Sequence, residues 1–292
     1  MAVSRSLALY SPVTAAEDSI IKRRFFPVIV ACTAGYTLSL TGLYSLWYAK
    51  YPRSSFHFIN DNHEWQKMDK CGHATTSYYV GKIGYESLRW TGLGERKSAW
   101  YGGLLGLAYL TTVEVFDGFS KEWGFSAGDY TANTLGAAFF IGQQLGWHEQ
   151  KILLKWSFHT TSFAQYNPDQ LGANLPQRML KDYNGQTYWL SANISSLAGM
   201  HNAFPKWLNL AFGYGAEGMT GPGNNPESIN GKPIPAFRRC SRFFLAPDID
   251  LTRIPVKSKN LRLFLNLIGF IKIPLPAIEM NMQGVKLHPL YF

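Results

Sequence analysis

From Phe25 to Ala49 the chain runs 25 residues without a charged side chain, and no other stretch constrains its architecture as strongly. A helix rising 1.5 Å per residue over that length crosses a hydrocarbon layer of about 30 Å. Lys22-Arg23-Arg24 precede the run, and Trp47 and Tyr48 close it. Basic residues stay on the cytoplasmic side and aromatic rings favour the interface, so the remaining chain is expected on the opposite, periplasmic side. A cleaved secretory signal is the competing reading, because Ile29-Val30-Ala31-Cys32 loosely fits a lipoprotein cleavage box. The apolar run continues for 17 residues past Cys32, which favours a retained anchor.

The rest of the chain is too polar to be wholly lipid-embedded, with a mean hydropathy of −0.11 over 292 residues. Charged residues make up 16% and aromatic residues 15%, which excludes disorder, collagen and a long coiled coil. Residues 1–150 carry 13 Lys/Arg against 12 Asp/Glu, whereas 151–292 carry 15 against 7. A basic second half suits an anionic neighbour such as lipid head groups, or is a solvated surface. Nucleic acid is not expected, since no helix-turn-helix, zinc-finger or RNP pattern is present. Cys32, Cys71 and Cys240 form no CxxC pair, and no disulfide framework is indicated.

Four segments follow: a basic-ended N-terminal segment over 1–24, the anchor over 25–49, a helical domain over 50–150 and a basic, aromatic-rich region over 151–292. Within the third, helices are expected over Met68 to Trp90, Ser98 to Val113 and Asp129 to Trp147. Small residues recur at four-residue spacing: Gly102 with Gly106, Gly128 with Ala132 and Gly136, and Gly142 with Gly146. Such stripes let helix backbones approach closely, in lipid or in a water-soluble bundle, and the membrane-associated form is preferred. Beyond Trp147, Trp207 to Phe212, Phe243 to Leu245 and Leu261 to Ile273 read as short strands, and Gly218 to Pro235 as a long loop. Leu261 to Ile271, flanked by Lys259, Arg262 and Lys272, also reads as a basic amphipathic segment for a membrane surface. Phe292 ends the sequence as in many outer-membrane barrels, but too few strands of about ten residues are visible for a closed barrel. The expected fold is mainly α, a membrane-associated Gly-rich helical bundle with an N-terminal transmembrane helix. A mixed, irregular C-terminal region with short strands follows it.

Each expected helix carries one polar pair at helical spacing: Asp69 with His73, Glu114 with Asp117, and Asp129 with Asn133. Ionisable groups among apolar residues are costly unless they face inward and find partners, so the pairs are expected to converge. Lys70 and Ser126 can join them, Ser126 as a helix cap. Carboxylates with one imidazole suit a divalent metal, with Asp69, His73, Glu114 and Asp129 as ligands. Asp69 or Glu114 can instead serve as a general base. The plainer alternative, and the preferred one, is a hydrogen-bonded packing lock without a cofactor. No P-loop, GxSxG or GxGxxG accompanies the cluster.

The segments Met68-Asp69-Lys70-Cys71-Gly72-His73, Val113-Glu114-Val115-Phe116-Asp117 and Phe125-Ser126-Ala127-Gly128-Asp129 through Gly136 carry a family likeness. Over about 66–147 the chain resembles the YfiM-like predicted periplasmic lipoproteins and, more loosely, VanZ-like membrane proteins. Lys181 to Ser191 and Pro205 to Leu210 resemble the longer members of Bacteroidetes-type bacteria. The long anchor without a clear lipobox and the C-terminal extension depart from the shorter members. The resemblance implies a Gram-negative envelope protein and no settled activity. Two functions are expected: a structural or accessory factor gripping an envelope protein or membrane lipid, or a metal-assisted hydrolase or transferase acting on a lipid-linked or cell-wall substrate.

Overall fold

The apolar run folds as one helix that leans lengthwise on two others. In the computed structural model, which describes residues 15–49, 51–199 and 204–292, helix α1 spans Ala15–Leu43 and continues through a π-helical turn, Tyr44–Tyr48. Residues 1–14 of the N-terminal segment lie outside the described residues, and the helix already includes 15–24. From Ile21 to Tyr48 this is the one helix among the described residues long and apolar enough to cross a membrane. Three of its hydroxyls bond back to its own carbonyls, Ser39 to Tyr36, Thr41 to Thr37 and Ser45 to Thr41.

Helices α2 (Met68–Thr91), α3 (Glu95–Gly118) and α4 (Ala127–Trp147) form a bundle. Ser126 caps α4 by accepting from the Asp129 amide. Arg24 of α1 reaches the Trp90 carbonyl at the end of α2, Tyr36 shares a hydroxyl hydrogen bond with Thr112, and Tyr48 donates to Asp117 at the end of α3. The bundle therefore accompanies α1 over most of its length. Glycine makes its crossings possible: a Cβ on Gly106 would run into the Ser77 carbonyl, and one on Gly136 into the Ala74 carbonyl. Gly142 and Gly146 do not join this stripe, because a Cβ on either would meet nothing within 4 Å.

The second half corrects the expectation of a mainly α chain ending in an irregular region. Six strands, β1 (Ile152–Phe158), β2 (Gln186–Asn193), β3 (Leu208–Glu217), β4 (Cys240–Ile249), β5 (Leu275–Asn281) and β6 (Gly284–Tyr291), form one antiparallel meander. The strands look irregular in sequence because polar and small residues occupy much of the face that becomes buried. Residues 261–273 are corrected too: Lys259–Leu267 is an amphipathic helix, α5, capped by Ser258. Leu261, Phe264 and Leu267 recur every third residue, a helical period rather than a strand period. The loop after β3 contains a small hairpin pairing Ser228–Ile229 with Lys232–Pro233.

The sheet curls. The free edge of β1 meets the segment leading into β5, where Trp156 donates to the Phe270 carbonyl and accepts from the Lys272 amide. Inside the curl Lys155 pairs with Asp248 at 2.7 Å, both fully buried, while Arg242 donates two bonds to Glu279. His288 lies 2.7 Å from the same Glu279. Leu153 joins Tyr78, Phe140 and Ile141 in a core shared with the bundle.

A three-residue left-handed turn fastens the layers. Trp65, Gln66 and Lys67 have φ of 46°, 52° and 62°, each costing about 1–2 kcal/mol for an L-residue. The turn drives the Trp65 ring against Tyr183, 5.4 Å between centroids, while Tyr214 donates to the Gln66 carbonyl.

Gly106→Ala is expected to destabilise the protein by about 1–3 kcal/mol through overpacking. Gly146→Ala is expected to be neutral or stabilising by up to about 1 kcal/mol. Thermal unfolding of the two purified variants checks the pair.

Candidate functional site

The polar core lies where α1, α2, α3 and α4 approach the loop before α2. The spacing of four between Asp69 and His73 puts both on one face of α2, and a similar step aligns Asp129 with Asn133 on α4. His73 stands at the centre. Its Nδ1 lies 3.0 Å from Asn133 Oδ1 and 3.5 Å from Glu114 Oε1, while its Nε2 lies 3.8 Å from Asp69 and 3.9 Å from Asp129. Five of the six expected site residues thus come together. Asp117 lies at the edge of the cluster, out of contact with His73 but within reach of the Asp69 and Asp61 charges, and accepts a 2.8 Å bond from Tyr48.

Lys70 enters the cluster as its counter-ion, with Nζ 2.7 Å from Asp61, 2.7 Å from Asp129 and 3.4 Å from Asp69. Asp69 also accepts from Tyr183 at 2.6 Å, which ties the bundle to the segment before β2. Ser126 donates its hydroxyl to Asp61 and its amide to Glu114. Gly72 leaves room for Tyr188, whose hydroxyl would lie 2.8 Å from a Cβ at that position.

Asp61, Tyr48 and Tyr183 belong to this network, although sequence reasoning missed the part they play. Asp61 stands in a loop without periodicity, and the two tyrosines approach from segments remote in sequence. A charge count offered a signal: four acids on the helices, Asp69, Glu114, Asp117 and Asp129, against Lys70 and one imidazole leave room for neutral acids or added donors.

Burial shapes the electrostatics. It pushes the Asp129 carboxyl up to about 10, reinforced by the Asp69 charge, and Glu114 up to about 7. Burial likewise raises Asp117 to about 8. At Asp61 and Asp69 burial acts in the same direction but is outweighed. Hydrogen bonds from Asp129 and Lys70 hold Asp61 below the carboxylate range, and the His73 and Lys70 charges with the Tyr183 bond do so for Asp69. Lys70 is held above its ordinary value despite burial, because Asp69 and Asp129 stabilise the ammonium. One proton shared between Asp61 and Asp129 and one ammonium thus keep the carboxylates compatible.

A divalent ion is the other way to bind such a group. Ligand atoms of Asp69, His73 and Asp129 lie within 4.8 Å of one another, a set that leaves out the expected fourth ligand, Glu114. Lys70 already sits in ion-pair range of two of these three residues, so a metal would compete with it. Glu114 Oε1 and Asn133 Nδ2 are buried without a hydrogen-bond partner.

Residues 57–142 match a family model described as "Predicted periplasmic lipoprotein (DUF2279)". The match covers all six expected site residues and less than a third of the chain, ending before the sheet begins. No curated protein and no solved structure matches the chain. The family description and the long apolar helix both point to the cell envelope.

Lys70→Met leaves the acids without their cation and is expected to cost about 3–5 kcal/mol, read as a fall in the unfolding midpoint. The pH dependence has a definite sign. A carboxyl raised in the folded state keeps a proton that the unfolded chain releases, so its effect is to lower stability as pH rises past the ordinary carboxylate range. Between about pH 5 and about pH 8, Asp129→Asn is therefore expected to lose less stability than the parent protein.

Proposed function

We propose that this chain is a membrane-anchored structural or accessory factor of the bacterial cell envelope. It holds an envelope protein complex or membrane lipid on its C-terminal layer, and its polar core is a packing lock. The observation that carries this reading is Lys70, whose ammonium occupies the space among Asp61, Asp69 and Asp129. A charge cluster completed by its own lysine fixes how helices and sheet meet and needs no ligand. Tyr183 and Tyr48 extend the lock to the sheet side and to the anchor. Most of the chain lies on the periplasmic side in this reading, following the basic cluster before the anchor.

A metal-assisted hydrolase or transferase acting on a lipid-linked or cell-wall substrate is the second reading. The mutual proximity of Asp69, His73 and Asp129 favours it. Glu114, buried beside His73, would then hold or move a proton.

Asp69→Asn and Glu114→Gln preserve shape while removing charge. The lock predicts normal abundance and an unchanged envelope phenotype and cross-linking pattern in intact cells. Loss of the phenotype at normal abundance overturns it in favour of chemistry. Elemental analysis separates the readings independently: a stoichiometric divalent ion that disappears in His73→Ala supports the metal site.

A further inference from the structure

The sheet is polarised the wrong way for water. Its concave, buried face packs Trp189, Phe244 and Tyr291 with small residues, and beside them carries Lys155, Asp248, Arg242, Glu279, Asn193 and Asn209, all fully or nearly fully buried and hydrogen-bonded or ion-paired. Its convex face is apolar. Following the strand register, Leu154, Leu190, Phe212, Leu245, Ile278 and Leu287 form one row across all six strands. Leu190, Phe212, Leu245 and Ile278 in that row are 38–46% exposed, and Leu287 on the last strand is 75% exposed. A parallel row two residues along the strands runs Trp156, Tyr188, Tyr214, Phe243, Met280 and Val285; the bundle covers Tyr188 and Tyr214, and Phe243, Met280 and Val285 are exposed. Ion pairs kept inside and an exposed apolar face outside suit a sheet whose outer face meets lipid.

We propose that the convex face of the sheet is seated among the acyl chains of a phospholipid bilayer, at the depth of the middle of the helical bundle. The inference rests on reading α1 as a membrane anchor and adds to it the partner of the second half. Depth follows from packing: the first row begins at Leu154, beside the Tyr78, Phe140 and Ile141 core halfway along α2 and α4. An apolar hollow of about 290 Å³ joins Phe139 of α4 to Leu190, Leu210, Phe212 and Leu245, so the greasy belt passes unbroken from bundle to sheet. At the β1 edge Trp156 pairs its backbone with residues 270 and 272, which covers the middle of that edge. Helix α5 exposes Leu261, Leu263, Phe264 and Leu267 with Lys257, Lys259 and Arg262 nearby, the composition of a helix lying on anionic head groups. Two convex faces touch along a narrow strip, whereas fluid chains follow a curve, which favours lipid over a second copy of the chain.

Position-specific fluorescence tests this in the full chain. Cys32, Cys71 and Cys240 are replaced by alanine, and one new cysteine is labelled with an environment-sensitive dye. Leu38→Cys reports α1, Phe212→Cys and Leu245→Cys the sheet, and Ser228→Cys the exposed hairpin. Retained far-UV dichroism qualifies each variant. In phosphatidylethanolamine/phosphatidylglycerol vesicles, labels at 38, 212 and 245 are expected to resist aqueous iodide several-fold better than the label at 228. They are also expected to be quenched by nitroxides on the lipid chains. If 38 is shielded while 212 and 245 respond to iodide like 228, the inference fails and the anchor stands. If 38 is also open to iodide, both fail. Sheet labels shielded from iodide but untouched by chain nitroxides mean a protein occupant, which also overturns the inference.

Discussion

A buried charge without a partner is among the most expensive things a fold can contain, and both halves of this molecule are organised around avoiding it. In the helical half, Lys70 stands among three carboxylates while burial keeps Asp129 protonated. In the sheet, Lys155 meets Asp248 and Arg242 meets Glu279. The same solution recurs, yet with opposite surroundings: the first cluster joins helices, the second fills the inside of a curved sheet. Each makes the local arrangement specific, since a shifted helix or a slipped strand would strand a charge.

The helical half was legible in the sequence because its signals are periodic. Asp69 and His73, and Asp129 and Asn133, recur at a helical step, and Ser126 stands where a cap belongs, so α2, α4 and the convergence of the pairs could be read directly. Asp117 shows the limit of that logic. Its spacing from Glu114 is right, but Tyr48 from another helix takes it aside. Asp61 and Tyr183 carried no periodic signal, and their roles depend on a loop and a distant segment folding over the bundle. The glycine stripe was readable at Gly106 and Gly136 and misleading at Gly142 and Gly146, where no neighbour comes close.

The sheet was obscured for a different reason. Strand recognition from sequence leans on a hydrophobic face turned inward, and here Trp189 and Phe244 share the inward positions with Lys155, Asp248, Asn209, Ser191 and Gly213, while apolar residues also line the outer face. The alternation is blurred, and so 151–292 reads as irregular. The amphipathic helix Lys259–Leu267 suffered from its brevity, since nine residues hold too few turns to separate a period of three or four from an alternating strand. A family model that ends at residue 142 reflects the same division: its pattern belongs to the helices and their polar pairs, not to the sheet.

Trp65, Gln66 and Lys67 connect these halves more tightly than their place in a loop suggests. Their left-handed backbone persists because Trp65 is wedged beside Tyr183 and the Gln66 carbonyl is held by Tyr214, both contributed by the sheet layer. The segment behaves as a clasp under tension rather than a hinge. Releasing either tyrosine would let the backbone relax and withdraw the tryptophan, and the start of α2, with Asp69 and Lys70 on it, would lose its register. Helices and sheet are thereby tied at the start of α2, so that a shift of the sheet layer is felt at Asp69 and Lys70.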